Sequence, residues 1–231
     1  MRLVFDSNGK KLLTKFDFIG KGEEAKVYHK GDVAYKCYHH IAWCSRLLPE
    51  DVSFLQGIYT DCILLPQTTL YNIFGDFCGY TTRYIEDLGL LHFMGLPTDA
   101  VLRNFKLLSN DARVLGENRV LVSDFMPKDT RVKNYSFNEG LYFVDPGKYF
   151  INYDSDREKI VKRNKDLIDN FLFFRVLNKF CKEQFGDYGY DFSKLYSSLG
   201  EARDNDVSFL EYVACDIKEN TLEDYVKRKV L

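Results

Sequence analysis

The chain has 231 residues, of which 45% are hydrophobic and 16% aromatic. That excludes intrinsic disorder, which goes with few aromatics and low hydrophobicity, and it suits one large domain or two tightly packed lobes. With 32 basic against 34 acidic residues the formal net charge is −2, so the basic excess of a dedicated nucleic-acid binder is missing.

The opening Met1-Arg2-Leu3-Val4-Phe5-Asp6 lacks the apolar stretch of a secretion signal. Residues 2–5 and 11–14 read as a hairpin around Ser7-Asn8-Gly9, because Asn-Gly suits a turn with positive φ. Residues 16–20 and 25–29 are expected strands flanking a Gly-containing turn. Residues 33–38, rich in β-branched and aromatic side chains, make a third strand. A helix is expected over 49–58, with Pro49 in its first turn and Val52, Leu55 and Ile58 at helical spacing. Strands are expected over 70–73 and 80–85 around a Gly75-Asp76 turn. A helix is expected over 97–115, with Val101, Leu102, Phe105, Leu108 and Ala112 on one face. Residues 120–122 and 141–144 are short apolar strands around a polar loop from 124 to 134.

From residue 157 the pattern is helical, with Ile160, Leu167, Ile168, Phe171, Leu172 and Val176 on an amphipathic face. A last helix is expected from 222 to the end. Lys159, Lys162, Arg163 and Lys165 read as a solvated helix face. No run approaches the ~18 apolar residues of a membrane span. The six cysteines contain no C-x-x-C pair and match no zinc spacing. They read as reduced thiols of a cytoplasmic protein with neither membrane nor nucleic acid as partner. His39-His40 would not chelate one ion, since neighbours on a strand point to opposite faces. A β-rich first part followed by helices is an α+β arrangement.

Five segments carry candidate chemistry. Gly20-Lys21-Gly22-Glu23-Glu24-Ala25-Lys26-Val27-Tyr28 lies between two expected strands, where glycines let the backbone approach phosphate oxygens. Val33-Ala34-Tyr35-Lys36 places a lysine within an apolar strand, where it needs a partner, because an unpaired buried ammonium is costly. Gly79-Tyr80-Thr81-Thr82-Arg83-Tyr84-Ile85-Glu86 is a further strand. Leu121-Val122-Ser123-Asp124-Phe125-Met126-Pro127-Lys128-Asp129 and Tyr142-Phe143-Val144-Asp145-Pro146-Gly147 each carry an apolar stretch into an aspartate. Taken alone, Asp-Pro-Gly is an ordinary turn sequence.

In their order and spacing these segments resemble the protein-kinase-like fold, and in particular its bacterial and small-molecule-kinase relatives. The first is similar to the Gly-rich loop, with Ala25 at the third glycine. The second is similar to V-A-I-K. The fourth is similar to the catalytic loop H-R-D-L-x-x-x-N, with Val122 and Ser123 replacing His-Arg and Asp129 at the Asn position. The fifth is similar to D-F-G, with Pro146 replacing Phe. The resemblance covers roughly residues 16–150, and no A-P-E sequence follows it.

The resemblance implies a two-lobed fold, with a β-rich N-terminal lobe over 1–86 and a reduced helical C-terminal lobe over 87–231. It implies ATP and Mg²⁺ as cofactors, and transfer of the γ-phosphoryl group to a hydroxyl of an unidentified protein or small molecule. Gly20 and Gly22 would cover the phosphates and Lys36 would bind them. Glu50 would steady the lysine, although Asp51 competes and either carboxylate also suits the helix N-terminus. Residues 84–87, Glu86 among them, would meet the adenine through their backbone. Asp129 and Asp145 would hold the metal, and Asp124 would serve as the catalytic carboxylate. The departures at Ala25, Val122, Ser123 and Pro146 leave a second class open: a pseudokinase acting as a nucleotide-binding or interaction module. A third, nucleotidyl transfer, has no selecting feature.

Overall fold

A computed structural model describes residues 4–6, 8–10, 17–22, 24–39, 47–122, 134–145, 149–151, 154, 156–186, 189–204 and 208–231. The fold is α+β. Five strands, β1 (Asp17–Lys21), β2 (Ala25–Lys30), β3 (Val33–Tyr38), β4 (Thr68–Tyr71) and β5 (Phe77–Arg83), form an antiparallel sheet in the order β1-β2-β3-β5-β4. Phe5 bridges Tyr71 at the β4 edge. The Asn8-Gly9 turn is present, with Gly9 at φ +71° and its N–H bonded to the Asp6 carbonyl. Helix α1 (Pro49–Leu55) ends three residues before the expected stop.

Side chains alternate across the sheet. Tyr35, Cys37 and Leu70 form a small outer cluster with Val4. The inner face sends Ala25, Tyr38 and Tyr80 into the main core. Lys36 shares this inner face by the period of two, between Val27 on β2 and Tyr80 on β5. Strands β4 and β5 begin earlier than the apolar pattern suggests, because Asn72 closes their turn early. Its side-chain oxygen accepts from the N–H groups of Phe74 at 2.8 Å and Asp76 at 3.0 Å, a local side-chain turn of the kind Asn favours.

After β5 come α2 (Leu90–Met94) and α3 (Thr98–Glu117), then a two-stranded ribbon of β6 (Tyr135–Phe137) and β7 (Leu141–Phe143). Next are α4 (Arg157–Phe171), a π-helical stretch (Leu172–Leu177), α5 (Asn178–Phe185), α6 (Phe192–Asp204), α7 (Phe209–Asp216) and α8 (Leu222–Val230). Val101, Phe105, Leu108, Ala112 and Leu115 form the buried stripe of α3, the spacing of an amphipathic helix. Helix α4 approaches α3 so closely that a Cβ on Gly116 would lie 2.5 Å from a Val161 methyl.

The expected strand at 120–122 supplies only a bridge, Leu121 to Phe150. Helix α2 is additional to the expected elements, and the helical pattern expected from residue 157 comprises, before the final helix, α4, α5, α6 and α7. The last of these is set by a capping box: Ser208 Oγ accepts from the Glu211 N–H, and Glu211 accepts from the Ser208 N–H. Among the described residues no helix is long and apolar enough to cross a membrane, and the five described cysteines are free thiols.

Candidate functional site

Lys36 and Asp145 meet although 109 residues separate them. The Lys36 Nζ donates to both carboxylate oxygens of Asp145, at 2.6 and 2.8 Å. The lysine side chain is 11% exposed and the aspartate 29%, so the pair is largely withdrawn from water yet open on the carboxylate side. Register brings the lysine here: on β3 it stands directly opposite Tyr80 of β5. The Tyr80 hydroxyl adds a third hydrogen bond to Asp145, to Oδ1 at 3.1 Å. The Tyr38 and Tyr80 rings lie 6.0 and 5.8 Å from the ammonium, within reach of a weak cation–π contribution.

The surroundings favour keeping the neighbouring phenols neutral. Burial, reinforced by the negative Asp145, holds the Tyr80 hydroxyl well above its ordinary pKa. The same two causes raise Tyr149, which is buried nearby. Beside Tyr80 the chain must have no side chain. Gly79 has φ +146°, and a Cβ there would sit 1.9 Å from the Lys36 carbonyl oxygen.

Asp145 is positioned from the helical part. It follows β7 by two residues, and β7 is gripped at several points. Asn104, buried on α3, accepts from the Leu141 N–H at 3.0 Å and donates to the Leu141 carbonyl at 3.1 Å. The Phe143 N–H donates to the Cys62 carbonyl at 2.9 Å, and the Leu64 N–H to the Phe143 carbonyl at 2.8 Å. The segment 61–63 is held in turn by Asp111, whose carboxylate accepts from the N–H groups of Asp61, Cys62 and Ile63. Burial still raises the Asp111 pKa against those donors, and burial pushes the Cys62 thiol to about 12.

The other expected site residues fall as follows. Gly20 pairs with Val27 across an irregularity in β1. Gly22 opens the turn to β2, donating to the Ala25 carbonyl at 2.9 Å, and its own carbonyl lies 3.2 Å from His39 Nε2. Glu50 is exposed in the first turn of α1. Its neighbour Asp51 takes the capping role there, accepting from the Leu48 N–H at 2.8 Å; the ion pair of Lys36 is with Asp145. Glu86 is exposed, and its carbonyl accepts from Asn138 Nδ2 at 3.1 Å. Around it Asp87 Oδ1 accepts from the N–H of Phe137, and the Leu88 N–H donates to the Phe137 carbonyl. The stretch after β5 is thereby fastened to β6.

Asp124 and Asp129 lie outside the described residues. Their upstream flank is well held: the Val122 N–H donates to the buried Asn164 Oδ1 at 3.0 Å, and Asn164 Nδ2 donates to the Val120 carbonyl at 2.9 Å. Beyond residue 133 the Val144 N–H donates to the Asn134 carbonyl at 2.9 Å. Among the described residues no three His, Cys, Asp or Glu side chains gather around one point.

Sequence reasoning passed over Tyr80, Asn104, Asp111 and Asn164 as site residues. Tyr80 heads an expected strand, but its place opposite Lys36 comes only from the pairing of β5 with β3. The other three sit at apolar-stripe spacings of α3 and α4, where a polar residue signals a buried hydrogen-bonding duty.

Chemically, a lysine ammonium against a carboxylate on a partly open face offers a cation for phosphate oxygens and hard oxygen donors for a divalent metal. In comparisons with known proteins, no family model and no curated protein matches the chain.

Proposed function

We propose that the chain is an ATP-dependent, Mg²⁺-assisted phosphotransferase with a two-lobed, kinase-like arrangement around Lys36 and Asp145. The observation that carries this reading is the bidentate Lys36–Asp145 contact across 109 residues, joining a sheet lysine to an aspartate that follows a two-stranded ribbon. The residues fit the implied cofactors: Asp145 supplies oxygen ligands of the kind Mg²⁺ takes, and Lys36 supplies a phosphate-binding cation. Mg²⁺, held by Asp145 and Asp129, would supply positive charge that offsets the phosphates.

In this reading Lys36 leaves Asp145 to bind the nucleotide phosphates, and Asp145 turns to the metal. Gly20 and Gly22 allow the β1–β2 turn to approach the phosphates, and Asp129 adds a second carboxylate for the metal. The segment 84–87, including Glu86, offers backbone groups to the base. Glu50 reaches the lysine only if α1 shifts. Asp124 orients the acceptor hydroxyl and takes its proton. The acceptor oxygen forms a bond to the γ-phosphorus as the bond to the β-phosphate oxygen breaks, so the site works by positioning and charge neutralisation. The acceptor is a hydroxyl on a protein or small molecule.

The test is binding and turnover of γ-labelled ATP by the full chain, with and without Mg²⁺. Asp145→Asn is expected to weaken Mg²⁺-dependent nucleotide binding. Asp124→Asn is expected to spare binding and slow transfer by ~10²–10⁴-fold, the usual size of a general-base contribution. Transfer that survives both substitutions overturns the assignment.

A further inference from the structure

The middle of the sheet holds a phenol that packing alone does not account for. Tyr80 stands on β5 between two neighbouring strands, opposite Lys36 of β3 and Thr69 of β4. It is 1% exposed, and its ring meets that of Tyr38 edge to face, with centroids 6.0 Å apart. A phenylalanine ring would make the same contact. The hydroxyl is the addition, and a buried hydroxyl destabilises the fold unless it is hydrogen-bonded. This one donates to Asp145 Oδ1 at 3.1 Å, across 65 residues of chain. Burial first, and the charge of Asp145 second, hold the phenol well above its ordinary pKa. It therefore keeps its proton and faces the carboxylate as a donor.

The two donors that meet Asp145 differ in freedom. Lys36 reaches it at the end of a flexible stem and donates to both carboxylate oxygens. Tyr80 is a rigid ring on a strand paired along both edges, and it donates to Oδ1. In the phosphotransferase reading the ammonium turns to the nucleotide phosphates. The phenol has no such second duty, and its strand holds it where it is.

We infer that Tyr80 is a positioning residue for the metal ligand Asp145. It keeps Oδ1 in place when Lys36 leaves, so that the carboxylate meets the metal in one orientation instead of turning about its own side-chain bonds. This rests on the phosphotransferase reading and adds a residue to it. Tyr80 touches neither nucleotide nor metal and acts through Asp145. Groups that hold a ligating carboxylate in this way set metal affinity by about 10- to 100-fold.

The experiment measures by calorimetry the affinity of the full chain for ATP, in EDTA and across a Mg²⁺ titration. The chains are the wild type, Tyr80→Phe, Asp145→Asn and the double variant. Tyr80→Phe keeps the ring and removes only the donor. It is expected to bind ATP in EDTA within about twofold of the wild type, and to need about tenfold more Mg²⁺, or above, for the same gain in affinity. Adding Tyr80→Phe to Asp145→Asn is expected to change the Mg²⁺ response no further, since the phenol acts only through that carboxylate. Unchanged affinity in EDTA shows that Tyr80→Phe is folded with its lysine in place. If the wild type responds to Mg²⁺ and Tyr80→Phe needs no more of it, the inference is wrong and the phosphotransferase reading stands. Equal weakening with and without Mg²⁺ makes Tyr80 a packing residue and overturns the inference too, as does a further loss of Mg²⁺ response in the double variant. A wild type whose ATP affinity Mg²⁺ does not raise removes both readings together.

Discussion

Replacing Lys36 by Met and Asp145 by Asn, singly and together, measures the contact on which the candidate site is built. Breaking a fully buried ion pair costs about 3–5 kcal/mol, and an exposed pair is worth ~0–1 kcal/mol. With side-chain exposures of 11% and 29%, this pair lies between those limits. The two losses are unequal. Asp145→Asn leaves the more buried partner without its counter-charge, facing a neutral amide and tyrosine rings 6.0 and 5.8 Å away; about 2–3 kcal/mol is expected. Lys36→Met leaves a carboxylate that is partly hydrated and still accepts from Tyr80 at 3.1 Å; about 1–2 kcal/mol is expected. The coupling from the double-mutant cycle should be about 1–2 kcal/mol. Equilibrium urea unfolding of the four chains, followed by far-UV circular dichroism, reads all three numbers. The cycle repeated with saturating MgATP should show a smaller coupling, because in the proposed reading the two side chains part to face phosphate and metal. A coupling below about 0.5 kcal/mol in the free protein would refute the pair as a defined contact. A coupling that MgATP leaves unchanged would refute its use as the nucleotide site.

Gly79→Ala should be among the most damaging single substitutions in the sheet: the φ of +146° and a Cβ 1.9 Å from the Lys36 carbonyl oxygen together imply a loss above about 3 kcal/mol. A urea midpoint close to wild type would show that β3 and β5 are not in the described register. Asp169 on α4 accepts from the N–H groups of Phe209 and Leu210, yet burial outweighs those bonds and lifts its pKa to about 7. The folded state then holds a proton that the unfolded chain, titrating near ~3.9, has released. The stability it brings is full below the unfolded pKa and is lost as the pH rises through about 7. Relative to Asp169→Asn, the wild type should lose on the order of 2–4 kcal/mol between pH 4 and pH 8; unfolding free energies that run parallel for the two chains would contradict this.

How far the sequence could be read depends on whether a feature is local or relational. The bounds of β3 were legible to the residue, because five β-branched, aromatic and small side chains flank Lys36 after a clear turn. Lys36 and Asp145 were expected at one site only through the resemblance, which gave the lysine Glu50 as its partner; its direct contact with Asp145 was not legible. Nor was Tyr80, since its duty arises only from the pairing of β5 with β3, and register is not written in either strand alone. The same holds for Gly79, which reads as a weak point in a strand until the Lys36 carbonyl is seen against it. The bounds of α7 within the expected helical region were not placed because its eight residues are too short for a stripe, although the Ser208–Glu211 capping box announces its start. The early end of β4 and the early start of β5 turn on a single Asn72 side chain that outcompetes strand pairing locally.

The buried polar residues of α3 explain why a helical layer is needed to make the site. An aspartate on a loop can swing, and an ion pair with a fixed lysine alone would not define where it sits. Here the definition runs through backbone hydrogen bonds. Asp111 fixes the N–H groups of residues 61–63, and that segment pairs with Phe143 on one side. Asn104 fixes both backbone groups of Leu141 on β7, and Gly140 permits this because a Cβ there would lie 2.4 Å from the Asn104 amide nitrogen. Asp145 is only two residues further along. Each link is a buried donor or acceptor with a specific partner, and each would leave an unsatisfied group if it slipped. Apolar packing tolerates small slides of one element on another, whereas such bonds do not. That is the physical reason for placing Asn104 and Asp111 at positions of α3 where an aliphatic side chain would have packed as well: they trade apolar burial for a fixed position of the carboxylate that meets Lys36.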